Sequence, residues 1–289
     1  MLGAMRRLRD DLKAAQRAAL AASPGISAGR QSSPGGSGTD ESSVRVRNCQ
    51  MTNYRKSPHK QHFMHILESD PSMLEYLLHP KMVALAEELV GGSVRLEESE
   101  ASMNRRDPDF DPEAPVRYGF HAGSLPDVAT YTANGLYHAT FVKTLTNLTP
   151  LGLGDGGTTV IPGSHKVAVE DRQAVIDAAY GDPDNLIHTV VAPPGSTLLF
   201  GEALIHATGQ IRTENKRCII IGGYTPPQFQ AWQGQEPSVE FVASAPQFLQ
   251  PMLSGGDKWS WKRRARELGK EASTPVVGDA QTRKQHAAL

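Results

Sequence analysis

The chain has little cysteine: only Cys49 and Cys218 among 289 residues. Two thiols are too few for a disulfide framework or for a zinc site built on cysteines, and neither lies in a Cys-x-x-Cys pair. This scarcity argues against a small disulfide-stapled secreted protein and is typical of the reducing cytoplasm. We expect both thiols to be buried or chemically idle.

Long apolar runs and an excess of charge of one sign are also missing. No stretch approaches the roughly eighteen apolar residues of a membrane span, and charged residues interrupt the N-terminal segment, so we expect no secretion signal. The 30 Lys and Arg residues nearly balance 31 Asp and Glu residues, for a net charge of −1. This balance argues against binding to a nucleic acid polymer or a membrane surface, whereas a small charged substrate needs only a few local cations.

The distribution of apolar residues divides the chain into four parts. Leu8, Leu12, Ala15 and Ala19 recur at helical spacing and predict an amphipathic helix that packs on the main domain or on a partner, or that extends loosely. A linker rich in Ser, Gly and Pro, one folded domain and a disordered polar tail follow. The four parts are residues 1–22, 23–45, 46–270 and 271–289.

Short helices and then many short strands are predicted in the folded domain. Helical patterning with breaks covers residues 60–90, in the segments HFMHILES, SMLEYLLH and KMVALAEELVG. From Ser93 onward, β-branched runs recur between Gly and Pro: SVRLEES, ATFVKTLTNL, GTTVIPG, LIHTVVAP, STLLFGEALIHA and RCIIIGGYTP. This spacing favours a mainly β fold with flanking helices, a sandwich or jelly roll, over a doubly wound α/β fold.

One stretch, STLLFGEALIHATGQIRTENKR, carries a histidine and an arginine that could share a cavity. A strand ends near His206, and Arg217 begins the next apolar strand eleven residues later. On antiparallel neighbours both side chains would point to the same side. An imidazole is a natural ligand for ferrous iron, and a fixed guanidinium suits a bidentate carboxylate. We therefore predict adjacent metal and anion sites.

The segment GDGGTTVIPGSHK has the pattern of a hairpin. It contains a Gly-rich turn, a short β-branched strand and a Pro-Gly turn. We interpret Gly156, Gly157, Pro162 and Gly163 as structural residues. We interpret His165 as a packing or capping histidine.

Taken together, these segments resemble the phytanoyl-CoA dioxygenase family of iron- and 2-oxoglutarate-dependent oxygenases. A Gly-Gly-x-x-x-Ile-Pro-Gly-Ser-His-Lys segment precedes a Pro-Gly-Ser-x-x-x-Phe strand and then His206 with Arg217. The resemblance covers roughly residues 60–226. It implies a double-stranded β-helix, a jelly-roll fold, and metal ligands from an early His-x-Asp and a late histidine.

The early motif of this chain departs from the family's pattern. The candidate is GFHAG at 119–123, in which His121 takes the place of the first ligand and Gly123 stands where the family has aspartate. Glycine has no ligand atom, so iron held by His121, His206 and 2-oxoglutarate would keep one position for water or an anion. In iron- and 2-oxoglutarate-dependent halogenases chloride takes that position, and this His-x-Gly is similar to theirs.

The resemblance implies the cofactors Fe(II), 2-oxoglutarate and O₂, together with chloride beside Gly123. Arg217 would pair with the distal carboxylate of 2-oxoglutarate, and Thr208 would add a hydroxyl. Asn104 and Lys143 could reach the cosubstrate or the substrate. Asn104 precedes the first histidine by the length of one hairpin, and Lys143 interrupts an apolar strand.

Three functions follow from this pattern. The first is a halogenase acting on an unactivated sp³ carbon of a freestanding small molecule. The second is a hydroxylase of a small metabolite, in which Asp127 or a water completes the coordination. The third is a degenerate oxygenase fold that serves as a binding module. His138, on an expected core strand, competes with His121 as first ligand unless it is a satisfied core histidine.

The length and the motif set are also similar to those of halogenases that act on a nucleotide, at the 2′ carbon of deoxyadenosine monophosphate, in the formation of chlorinated pentostatin-type nucleosides. A nucleotide would need cations for its phosphate, which Arg105, Arg106, Arg117 or Lys143 could supply. The alternative is that these are solvated surface charges. The sequence does not indicate an oligomeric state.

Overall fold

The computed structural model of the chain describes residues 1–22, 44–53, 57–123, 130–133, 136–231 and 234–255. Most of the predicted linker, the predicted tail and Asp127 lie outside the described residues. Seven α-helices occur in these ranges: α1 Leu2–Ala22, α2 Pro71–Leu77, α3 Pro80–Val90, α4 Arg172–Gly181, α5 Pro183–Leu186, α6 Val239–Ser244 and α7 Gln250–Ser254. Twelve strands accompany them: β1 Arg45–Val46, β2 Cys49–Asn53, β3 Lys60–Met64, β4 Arg95–Asn104, β5 Thr130–Ala133, β6 Leu136–Ala139, β7 Val142–Asn147, β8 Thr158–Val160, β9 His188–Thr189, β10 Thr197–Gly201, β11 His206–Thr208 and β12 Arg217–Thr225.

The strands form two sheets and a separate hairpin. The larger sheet has seven strands in the order β1-β2-β3-β4-β12-β7-β10, and the smaller sheet has the order β11-β8-β9. Strands β5 and β6 pair only with each other in the described ranges. All of these pairings are antiparallel. The predicted mainly β fold with flanking helices is therefore confirmed.

Strand β12 shows how the larger sheet separates the core from the site. Alternate side chains of a strand face opposite sides of its sheet. Cys218, Ile220 and Tyr224 face the main apolar core, which also contains residues of α2, α3 and α7. Arg217 faces the other way, and its guanidinium reaches Thr158 in the smaller sheet. The larger sheet thus has one face covered by helices and one face directed toward the smaller sheet.

Helix α1 packs on the main domain. Its residues Met5, Leu8 and Leu12 are buried in the same apolar core as Cys218. The sequence leaves open whether this helix packs on the main domain, packs on a partner or extends loosely, and the structure shows packing on the main domain. Burial of this apolar stripe is what stabilises the helix in the folded chain.

The ends of α2 and α3 follow the predicted pattern. The carboxylate of Asp70 caps α2 by accepting a hydrogen bond from the Ser72 N–H at 3.1 Å, and Pro71 occupies the first turn. Gly91 ends α3 in the left-handed conformation, with φ of 76°. A residue without a Cβ adopts this conformation at little cost, so the glycine stops the helix.

One predicted helix is a strand. The HFMHILES segment contains most of β3, which pairs with β2 on one side and with β4 on the other. Phe63 of β3 is buried in the main core. Pairing with two neighbouring strands satisfies the backbone and overrides the local helical pattern. Helix α4 is a different kind of error, because no helix or strand is predicted for its residues.

The two cysteines, Cys49 and Cys218, are free and buried, as predicted. Burial raises the pKa of both thiols to about 12, so the reactive thiolate form is scarce. No helix in the described part of the chain is long and apolar enough to cross a membrane.

Candidate active site

Two histidines from distant parts of the chain meet between the sheets. The backbone of His121 bridges that of His206: the His121 N–H donates to the His206 carbonyl at 2.9 Å, and the His206 N–H donates to the His121 carbonyl at 2.8 Å. The centroids of the two rings are 4.3 Å apart. His138, the competing candidate, lies on β6 in the separate hairpin. The structure therefore brings together the two histidines that the sequence predicts.

Each imidazole is oriented by a carbonyl oxygen two residues earlier in the chain. His121 Nδ1 lies 3.0 Å from the carbonyl oxygen of Gly119, and His206 Nδ1 lies 2.7 Å from that of Leu204. A carbonyl oxygen only accepts hydrogen bonds, so Nδ1 carries the proton in each ring. The lone pair of Nε2 is then free in both rings, and this is the form of imidazole that binds a metal ion.

Burial keeps the His206 ring neutral. Burial is the largest cause, and together with the nearby His121 it lowers the pKa of this imidazole from 6.5 to about 4. The unfolded chain therefore takes up this proton at a higher pH than the folded chain. We expect the free energy of unfolding of the metal-free protein to fall as the pH drops from 6.5 to about 4, by up to about 3 kcal/mol from this group.

Urea unfolding above, within and below this pH window checks the expectation. The matched variant is His206→Gln, which has no titrating ring and should lack this part of the pH dependence. Equal pH dependence in the two proteins would contradict it.

The Pro-Gly-Ser-His-Lys turn holds the His206 strand in place. The buried hydroxyl of Ser164 accepts a hydrogen bond from the Ile205 N–H at 2.8 Å. At Gly157 an added Cβ would meet a backbone carbonyl oxygen of the neighbouring segment, so the close approach of the strands requires glycine. These contacts agree with the structural interpretation of the motif, and His165 lies in the same turn.

Arg217 is a buried guanidinium with part of its hydrogen-bonding capacity unused. Its residue is 3% exposed, Nη2 donates to the Thr158 hydroxyl at 3.1 Å, and Nε has no partner in the described part of the chain. No carboxylate of the described residues lies within salt-bridge distance of it. Burial lowers the pKa of Arg217 to about 10, which still leaves it charged at neutral pH. A buried cation of this kind suits a ligand carboxylate, so the residues fit the distal carboxylate of 2-oxoglutarate.

His206 and Arg217 do not lie on neighbouring strands, which corrects the sequence prediction. Strand β11 pairs with β8 in the smaller sheet, whereas β12 pairs with β4 and β7 in the larger sheet. Arg217 reaches the smaller sheet at Thr158, which lies two residues along β8 from Val160, the register partner of His206. Thr158 on β8 provides the link, because it lies opposite Thr208 of β11 and accepts the hydrogen bond from Arg217. Sequence reasoning missed Thr158, whose part in the site depends on this pairing.

Asn104 lies beside Arg217 in the larger sheet, and Thr208 lies opposite Thr158, the hydrogen-bond partner of Arg217, in the smaller sheet. Asn104 is the register partner of Arg217 in the β4–β12 pair, so their side chains share a face. Thr208 is exposed and stands opposite the buried Thr158. Their contact with 2-oxoglutarate stays a prediction.

Lys143 lies far from Arg217 on the same sheet. Its register partner in β12 is Gly223, six residues from Arg217, which corresponds to roughly 20 Å along a strand. The Lys143 ammonium pairs with Glu97 at 3.0 Å and with Glu98 at 2.8 Å. A β-bulge after Gly223 inserts Glu97 as an additional residue in β4 and lets both carboxylates reach the lysine. This separation places Lys143 away from Arg217, and contact of Lys143 with the cosubstrate or the substrate stays a prediction.

The arginines predicted to bind phosphate differ in exposure and in whether a carboxylate already pairs with them. Arg106 forms an ion pair with Glu214, and its guanidinium lies 5.8 Å from the centroid of the Phe110 ring. Arg105 and Arg117 are exposed. Because the charges of Arg106 and Lys143 are already paired, Arg105 and Arg117 are the better remaining candidates of this group.

A glutamate that sequence reasoning missed lies against Gly123. The Gly123 N–H donates to the Glu202 carbonyl at 2.7 Å, and a Cβ added at Gly123 would lie 2.6 Å from Glu202 Cγ. Glu202 Oε2 is buried and has no hydrogen-bond partner among the described residues. Burial raises the pKa of the Glu202 carboxyl, and electrostatic interactions with Lys143 and His121 oppose this rise. The sequence contains one signal for Glu202 as a site residue, namely that it is an acidic residue four positions before His206.

The fold and the site together define a non-haem iron, 2-oxoglutarate-dependent enzyme. The chain belongs to the phytanoyl-CoA dioxygenase (PhyH) family, which it matches over residues 4–219. This confirms the predicted family and enzyme class, and with them the double-stranded β-helix. The match also includes most of helix α1.

A solved structure, that of HygX, shows the same fold. The chain is similar to HygX from Streptomyces hygroscopicus, solved with nickel and 2-oxoglutarate bound, with a TM-score of 0.52 and 20% sequence identity, over 63% of this chain and 75% of HygX. It is also similar to SnoN, a non-haem alpha-ketoglutarate-dependent epimerase from nogalamycin biosynthesis, with a TM-score of 0.44 and 21% identity, over 61% of this chain and 66% of SnoN. A comparison with curated protein sequences gave no significant match.

Proposed function

We propose that this enzyme uses Fe(II), 2-oxoglutarate and O₂ to oxidise an unactivated sp³ carbon of a freestanding small molecule. One observation carries the proposal: the imidazoles of His121 and His206 lie with their centroids 4.3 Å apart, and their Nδ1 atoms are held by carbonyl groups. The strand of His206 pairs with β8, whose Thr158 accepts a hydrogen bond from the buried guanidinium of Arg217, and Arg217 Nε has no partner among the described residues. Imidazole nitrogens suit ferrous iron, and a fixed guanidinium suits a carboxylate. The iron would supply the activation of O₂, for which side chains alone have no chemistry.

The side chains of the site would then bind and orient. His121 and His206 would hold the metal ion through Nε2, while the carbonyl groups of Gly119 and Leu204 fix the two rings. Arg217 and Thr158 would bind and orient the distal carboxylate of 2-oxoglutarate. Positioning of the substrate carbon relative to the metal then determines which bond is oxidised.

Chlorination is one outcome that the site supports. Gly123 brings no ligand atom to the position where the family has aspartate. An iron ion held by two histidines and the cosubstrate could accept chloride there, and the chlorine would be transferred to the substrate carbon.

Hydroxylation is the second outcome, and a specific contact favours it. The side chain of Glu202 runs directly past Gly123. A carboxylate in this place would complete the coordination and exclude chloride. Asp127, the other carboxylate suggested for this purpose, lies outside the described residues.

For the substrate, the first compound to test is a deoxyadenine nucleotide, as the resemblance to nucleotide halogenases suggests. Its phosphate would need a cation that is not already paired, which favours Arg105 or Arg117 over Arg106 and Lys143. Other small metabolites remain in the same test as competing substrates.

Anaerobic reconstitution followed by addition of O₂ tests the proposal. The protein is loaded with Fe(II) and 2-oxoglutarate, chloride is titrated, and succinate and the products of candidate nucleotides and metabolites are measured by mass spectrometry. We expect succinate formation that requires both iron and 2-oxoglutarate. A product with chlorine whose yield follows the chloride concentration supports chlorination, and a hydroxylated product independent of chloride supports hydroxylation. Absence of succinate with fully iron-loaded protein would refute the proposed function.

A further inference from the structure

The side chain of Glu202 takes the space in which the family's aspartate would begin. The two chain segments are held together by the hydrogen bond from the Gly123 N–H to the Glu202 carbonyl at 2.7 Å. A Cβ built on Gly123 would lie 2.6 Å from Glu202 Cγ and 3.3 Å from Glu202 Cβ. Real Cβ atoms do not approach other carbons this closely, so residue 123 can only be glycine while Glu202 keeps this conformation.

From these contacts we propose that Glu202 supplies the carboxylate ligand of the iron that position 123 lacks. The inference rests on the proposed function, because it assumes an iron ion at His121 and His206. In this view the chain has changed the source of its carboxylate. The glycine makes room for the glutamate, and the two residues are complementary.

The reach of the two side chains makes the exchange geometrically reasonable. In an aspartate at position 123 the carboxyl carbon would be bonded to Cβ, and in Glu202 the carboxyl carbon is bonded to Cγ. These two attachment points are 2.6 Å apart. Each carboxyl carbon lies one bond of about 1.5 Å beyond its attachment point, so rotation about the glutamate's own bonds can carry its carboxylate into the region that an aspartate would occupy.

The surroundings of the carboxylate also suit a metal ligand. Glu202 Oε2 is buried and lacks a hydrogen-bond partner in the described part of the chain. The nearby ammonium of Lys143 is already paired with Glu97 and Glu98. A buried oxygen without a partner is costly, and a cation would satisfy it.

Two histidines and one carboxylate form the ligand set that iron oxygenases of this type use. Within the described ranges no three His, Cys, Asp or Glu side chains yet converge on one point, so Glu202 would rotate when the metal binds. Such a ligand would take the place beside Gly123 that chloride would otherwise occupy in the native enzyme. The proposal therefore favours hydroxylation over chlorination.

Metal binding without turnover tests the proposal. The full-length protein and its Glu202→Gln variant are titrated anaerobically with Fe(II), and with Co(II), whose visible absorption reports the ligand set. We expect Glu202→Gln to bind Fe(II) at least about tenfold more weakly and to change the Co(II) spectrum. The matched control is Glu100→Gln, the same substitution at a carboxylate of the larger sheet that pairs with His62, and it should bind both metals as the native protein does.

A second pair of variants moves the carboxylate. Gly123→Asp alone should bind metal poorly or lose stability, because its Cβ collides with Glu202. Gly123→Asp combined with Glu202→Gly removes the collision and returns a carboxylate to the family's position, so iron affinity should recover to within about tenfold of the native value. With 2-oxoglutarate bound, chloride should shift the Co(II) spectrum of Glu202→Ala much more strongly than that of the native protein. Circular dichroism confirms that each variant is folded.

The outcomes distinguish a failure of the proposed function from a failure of the Glu202 proposal alone. If the native protein binds no iron, the proposed function fails and this inference fails with it. If the native protein binds iron and folded Glu202→Gln and Glu202→Ala bind it equally well, only the inference is overturned. The inference would also be overturned if chloride, with 2-oxoglutarate bound, shifted the Co(II) spectra of the native protein and of Glu202→Ala equally.

Discussion

Replacing His206 with alanine is expected to abolish iron binding and, with it, consumption of 2-oxoglutarate. His206 is 8% exposed, and its neutral ring directs Nε2 away from the Leu204 carbonyl that fixes it. Loss of partners that only orient a metal ligand already costs about 10- to 100-fold in affinity, and loss of the ligand itself should cost more than about 100-fold. The measurement is anaerobic Fe(II) titration together with succinate formation after addition of O₂.

The control for this substitution is His188→Ala, which removes an exposed imidazole from the same small sheet. It should leave iron affinity and succinate formation unchanged. Native-like iron affinity in folded His206→Ala would show that the metal is held elsewhere. A parallel loss in both variants would instead indicate damage to the sheet.

Replacing Arg217 with methionine is expected to weaken 2-oxoglutarate binding strongly without a loss of stability. Removal of one partner of a buried, hydrogen-bonded charge pair costs about 2–5 kcal/mol, which is about thirtyfold or more in affinity. In the ligand-free protein, however, this guanidinium is a buried cation with no paired carboxylate among the described residues. An apolar side chain of similar length should be tolerated or even stabilising.

Calorimetric titration of the iron-loaded protein with 2-oxoglutarate gives the affinity, and urea unfolding gives the stability. Arg212→Met is the matched control, since Arg212 is exposed and donates to the Pro112 carbonyl at 2.9 Å. The interpretation of Arg217 would be wrong if Arg217→Met kept its affinity for 2-oxoglutarate. It would also be wrong if stability and affinity fell together to the same extent.

The sequence predicts those parts of the site whose signals are local. His121, His206 and Arg217 each lie in a motif of a few residues with its own turn or strand pattern, and the structure brings all three to one region. The glycines of the hairpin motif are likewise predicted as structural residues, whereas the hydrogen bond of the neighbouring Ser164 is not predicted. Their contacts explain how the strand of the second histidine is held.

The sequence does not predict what depends on pairing between distant strands. Thr158 meets Arg217 only because β8 and β12 face each other from different sheets. Glu202 lies against Gly123 only because the segment before β11 runs beside residues 121–123. The error at β3 has the same origin, since its apolar spacing fits a helix until β2 and β4 supply partners. The ion pairs of Lys143 are not predicted for the same reason, because a bulge far along the sheet places two carboxylates beside it.

Helix α1 lies behind the strand that presents Arg217. Cys218 points away from the cavity into the core that holds Met5, and Arg6 and Arg9 are close enough to affect its thiol electrostatically. The N-terminal helix therefore packs in the core on the side of β12 opposite Arg217. In the described contacts it contributes no group to the cavity of the candidate active site. A shortened chain without this helix would expose to solvent the part of the apolar core that Met5, Leu8 and Leu12 cover. Its affinity for 2-oxoglutarate should also fall, although the chain would still contain every residue proposed to bind this cosubstrate.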